Sequence, residues 1–109
     1  MRLLRDNEKA LLTALIRGKS REEQLLKSLE EVVVEEMDDG GMGGLRFCGS
    51  DDEEPRCLGE LLVEREFVDD DGVPIMVAID LDDYGDLFEL DIWKVDFSSL
   101  KRFPVTTVG

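Results

Sequence analysis

Between Leu58 and Phe97 apolar and polar residues alternate in three stretches, separated by clusters of Asp and Gly. A period of two is the side-chain period of a β-strand, and Asp-Gly clusters supply the positive φ that tight turns demand. In "LGELLVEREFV", Leu61, Val63 and Phe67 share one face and Glu60, Glu64 and Glu66 the other. In "VPIMVAIDLD", Val73, Ile75, Val77, Ile79 and Leu81 share one face. "DDDG" and "DDYGD" mark the turns, and Leu87 to Phe97 forms the last strand. Upstream, "EVVVEEM" and "GLRFCG" read as two more strands around a "DDGG" turn. The pattern predicts a five-stranded antiparallel meander with one apolar face, which another layer must cover.

That layer is expected from residues 1–30, where the apolar spacing is helical. Asp6 or Asn7 can cap a first helix whose stripe is Leu11, Leu12, Leu15 and Ile16, and Gly18 stops it. "SREE" at Ser20–Glu23 has the form of a capping box for a second helix lined by Leu25, Leu26 and Leu29. The fold class is therefore α+β: an N-terminal two-helix hairpin packed on one face of the sheet. A chain of 109 residues is the size of one domain. The hairpin takes 1–30, the sheet 31–104, and 105–109 is expected to be a loose tail. Neither a signal peptide nor a membrane span is evident, and a cytoplasmic protein of bacterial type is the simplest expectation.

Register follows from matching apolar faces, because a slip of one residue reverses every side chain. The expected pairs are Leu81 with Phe88, Ile79 with Leu90, Val77 with Ile92, Phe67 with Val73, and Val63 with Val77. On the opposite face this sets Glu60 against Asp80 and Asp80 against Glu89, with Asp82 and Asp91 nearby. Like charges directly opposite cost up to about 1 kcal/mol per pair. A solvated face softened by Arg65 or Lys94 is one explanation for such a row; a divalent cation or a basic partner are others. The last strand also changes phase at Ile92-Trp93. A β-bulge there would turn both side chains into the core. Without a bulge, Trp93 lies on the outer face opposite Met76, where it would suit an interface.

Composition narrows the chemistry. The chain has no histidine and a net charge of −14. Residues 1–30 carry seven basic and five acidic side chains, while the rest carries six and twenty-two. An acidic surface of this size repels phosphate, so nucleic acid and anionic membranes are not expected partners; a basic protein is. Without His, the commonest general base and zinc ligand are missing. Cys48 and Cys57 lack CxxC spacing and flank "GSDDEEPR", so they read as two half-buried thiols. "GGMGG" at Gly40–Gly44 has no following Lys and reads as a turn rather than a phosphate cradle. Asp80, Asp82, Gly85 and Asp91 partly match an EF-hand loop, but Tyr84 takes a ligand position and the context is a hairpin. Acids on an open face also lack the burial that separates a general acid from a general base, so no enzyme is expected.

"MDDGGMGGLRF" and "EREFVDDDGVPIMVAIDLDDYGDLFELDIWKVDFSSLKRFP", with the Asp-Gly-Gly-Met-Gly turn and the Phe-Glu-Leu-Asp-Ile-Trp-Lys-Val-Asp-Phe strand, resemble a family of small bacterial proteins described as a domain of unknown function. The similarity runs from Arg2 to Pro104; Gly44 stands where a serine is expected and Ser99 where a proline is expected. The resemblance implies no activity, cofactor or catalytic residue. The function expected from the residues is a non-enzymatic protein-binding module, a monomer or weak homodimer, in the manner of an immunity protein that neutralises a basic partner. Its candidate contacts are Glu60, Glu64, Asp80, Glu89, Asp91 and Trp93. The alternative is a binder of Ca or Mg through Asp80, Asp82, Glu89 and Asp91.

Overall fold

The structure, a computed structural model, describes residues 2–37, 43–48 and 58–104. The two expected helices are present as α1 (Asp6–Ile16) and α2 (Glu22–Ser28). The sheet has six strands rather than five: β1 (Arg2–Leu3), β2 (Val33–Glu36), β3 (Leu45–Cys48), β4 (Leu58–Val68), β5 (Pro74–Asp82) and β6 (Leu87–Lys94). All neighbours are antiparallel, in the order β1-β2-β3-β6-β5-β4. It is not a simple meander, because β3 pairs with β6 and leaves β4 at the edge. Alternation tells which face a residue takes, not which strand lies beside it.

The helices cover one face. Leu11, Leu12, Leu15, Ile16, Leu25 and Leu29 share a single buried cluster with Val34, Phe47, Val77, Ile79, Leu90 and Ile92. Their caps differ from the expectation. Asp6 and Asn7 lie inside α1, and Arg5 is its N-cap. Glu8 accepts from the Arg5 backbone N–H at 2.8 Å and from the two Nη groups of the Arg2 guanidinium at 2.7 and 2.8 Å. One carboxylate therefore closes the helix end and ties β1 to it. Ser20 does not cap α2; Arg21 does so from a left-handed conformation, at φ 65°, with no side-chain cap.

Between β5 and β6, Ile79 faces Leu90 and Val77 faces Ile92 as expected, but Leu81 faces Leu87 because the register shifts after Asp80. Between β4 and β5 the pairs are Phe67 with Ile75 and Val63 with Ile79, two positions from those expected. The turn takes up the difference: Asp69 N–H donates to Val73 O at 3.0 Å, so Val73 closes the loop and does not face Phe67. No bulge occurs at Ile92-Trp93. The register runs unbroken from Val77–Ile92 through Met76–Trp93 to Ile75–Lys94.

The phase break has a different cause: Lys94, fully buried, continues the inward set of Leu90 and Ile92. The apolar residues beyond it are at the surface, Val95 48% and Phe97 77% exposed. Cys57, most of the "GGMGG" turn, the "GSDDEEPR" loop and the tail at 105–109 lie outside the described residues.

Candidate functional site

The face away from the helices is built from three rows of side chains that cross the strands. Cross-strand pairing sets Glu35, Arg46, Glu89, Asp80 and Leu61 side by side in the first row. The second is Asp91, Ala78 and Glu64, and the third Trp93, Met76 and Glu66. Carboxylate oxygens of Asp80, Glu89 and Asp91 all lie within 4.8 Å of one another, and each of these side chains is half-buried. Arg46 approaches the cluster from β3, with Nε 3.7 Å from Glu89 Oε1.

Of the residues singled out in the sequence, the fold brings together Asp80, Glu89 and Asp91 and places Trp93 and Glu64 beside them. Two fall elsewhere. Glu60 stands opposite Leu81, and Leu61 takes the expected place across from Asp80. Asp82 is 2% exposed and serves the hairpin: its Oδ1 accepts the backbone N–H groups of Tyr84 at 2.8 Å and Asp86 at 2.9 Å. The EF-hand-like spacing is therefore an Asx-type turn, completed by Gly85 at φ 86°. Neither Arg65 nor Lys94 softens the row. Arg65 pairs with Val77 and so belongs to the helix-side set, and Lys94 is buried on that side. Arg46, not expected, takes that part.

A second charged constellation lies on the other side. Lys94 Nζ is 3.1 Å from Asp69 Oδ2 and 2.5 Å from Asp71 Oδ2, and it also donates to Ser99 O at 3.4 Å. Asp69 further accepts the backbone N–H groups of Asp70 at 2.7 Å, Lys101 at 2.7 Å and Arg102 at 3.0 Å. Burial alone would raise the Asp69 carboxyl; the Lys101 and Asp70 amides and the Lys94 ammonium outweigh it and hold it at about 2. Burial likewise pulls the Lys94 ammonium down, but its bonds to Asp71 and Asp69 reverse the net shift to upward. The visible sign was a lysine in the inward phase of β6, which the bulge reading had moved outward. One ammonium and the surrounding backbone amides satisfy the two carboxylates, so the group fastens the segment after β6 to the β4–β5 turn.

The structure also has open concavities, one of about 390 Å³ lined by Glu35, Glu36, Met37 and Arg46 beside the first row. No helix among the described residues is long and apolar enough to cross a membrane.

Residues 1–104 match the family model described as a domain of unknown function, DUF6984. The chain belongs to the DUF6984 family. No curated protein and no solved structure matches it significantly.

Proposed function

We propose that this protein is a binding module that presents the outer face of its sheet to a basic protein partner. The observation that carries the reading is the juxtaposition of Trp93 and Met76, half-buried and outside the core, with Asp91 in the adjoining row and Asp80 and Glu89 in the row beyond it. A Trp flanked by a flexible Met and rimmed by charge is the composition of an interface centre. Asp80 directly opposite Glu89 opposes folding by a few tenths of a kcal/mol to about 1. Lys or Arg side chains from a partner would remove that repulsion and speed encounter. A cytoplasmic neutraliser of a basic protein, monomeric or weakly dimeric, is the narrower form of the same reading.

The test compares affinity capture by the wild type with capture by a triple variant, Asp80→Lys, Glu89→Lys and Trp93→Ala. A protein held by the wild type, released by raised salt and lost with the variant supports the reading. Identical recoveries from both proteins contradict it.

A second reading rests on the 4.8 Å clustering of three carboxylates, a donor set suited to Ca or Mg. Asp82 is no longer part of that set. Calorimetry with calcium and magnesium should give heat that Asp80→Asn abolishes; no heat at millimolar metal removes this reading.

A further inference from the structure

The two edges of the sheet are unequal. One is the two-residue strand β1, and the other is the eleven-residue strand β4. The register of β4 shifts near Leu58 and again near Leu61, but from Val63 to Val68 it pairs one-to-one with β5. Among the described residues this stretch has a strand neighbour only in β5, and a regular strand paired on one side presents alternate backbone N–H and C=O groups outward and can accept another strand.

Its side chains select which strand. Glu64 and Glu66 belong to the outer face, Phe67 packs partly against the core from the other, and Val68 is 67% exposed. A second copy of this chain fits poorly. Antiparallel self-pairing centred on Arg65 would set Glu64 against Glu66 of the other copy, and both chains carry −14. A basic strand meets the opposite situation. Its Lys or Arg residues would fall beside Glu64 and Glu66, at the ends of the rows that hold Asp91 and Trp93, and its alternate apolar residues beside Phe67.

We propose that the β4 edge from Val63 to Val68 recruits the basic partner by strand addition, with Glu64 and Glu66 setting the requirement for positive charge. This rests on the reading that the outer face meets a basic protein, and it adds the mode of attachment.

The probe is a peptide of about ten residues alternating Lys and Val, together with the same peptide N-methylated at alternate residues so that it cannot pair along an edge. The unmodified peptide should bind. N-methylation, or Glu64→Lys with Glu66→Lys in the protein, should weaken it by at least roughly tenfold, and binding should slow amide exchange in β4. The methylated arm uses the unaltered protein, so it stands even if the double variant folds poorly.

Equal binding of the methylated peptide, no binding at millimolar concentration, or wild-type dimerisation through β4 that the peptide does not compete away would each overturn strand addition. If the capture experiment above still separates wild type from the outer-face variant, the partner reading survives that failure. If it does not, both fall.

Discussion

Lys94 occupies a β6 position where the alternation places an apolar side chain, and burial of its ammonium is tolerable because two carboxylates meet it. The arrangement has a signature in acid. Asp69 titrates near 2 in the folded protein, below its ordinary 3.8, so its contribution is whole above about pH 4 and is lost as pH falls toward 2. Asp71 is lowered chiefly by its bond from Lys94 and acts in the same sense. Lys94 is raised, so its contribution holds below its ordinary 10.5 and disappears only as pH rises through the higher folded value. Urea midpoints at several pH values should therefore show Asp69→Asn less stable than wild type at pH 7, with a smaller further loss between pH 4 and pH 2. Parallel losses in the two proteins would refute this. The sequence contained the sign of this group in the phase of β6 and the three consecutive acids of the turn. The union of the two could not be read, because it depends on the segment after β6 folding back so that the Lys101 and Arg102 amides reach Asp69.

At the scale of elements, strands and turns were legible wherever the period of two ran long enough. The Ile79–Leu90 and Val77–Ile92 pairs and the Asp83–Asp86 turn follow from the alternation of β5 and β6. β1 escaped because two residues have no period, and the β3–β6 pairing because it links strands distant in sequence. The irregularity at Gly59 lies where no pattern marks it, whereas Gly72 takes the left-handed conformation that its Asp-Gly turn predicts. At Gly59 the register of β4 shifts, and a Cβ there would run into the backbone carbonyl of Asp82. At Gly72 the surroundings are open and the cost of a side chain comes from φ of 80°. Gly72→Ala is accordingly expected to cost about 1 kcal/mol. Gly59→Ala should cost more, about 1–3 kcal/mol, because backbone must move. Urea unfolding of the two variants checks the order; a harmless Gly59→Ala would mean that the bulge yields freely.

In the whole molecule, the helices bring their apolar stripe to one side of the sheet, and the uncovered side collects carboxylates around Trp93 and Met76. The placement of the acid cluster was readable because Asp80 and Glu89 oppose each other in the one hairpin whose register the alternation determines. The placement of Trp93 was not, because a bulge and an inward lysine produce the same break in phase. Trp93 is half-buried on the outer face and outside the core cluster, whereas its neighbour Ile92 is core. Urea unfolding of Trp93→Ala beside Ile92→Ala tests this directly. The predicted result is a loss of about 2–5 kcal/mol for Ile92→Ala and a smaller loss, about 1–2 kcal/mol, for the half-buried Trp93→Ala. A loss for Trp93→Ala of about 3–5 kcal/mol, the cost of emptying a core aromatic site, would contradict it.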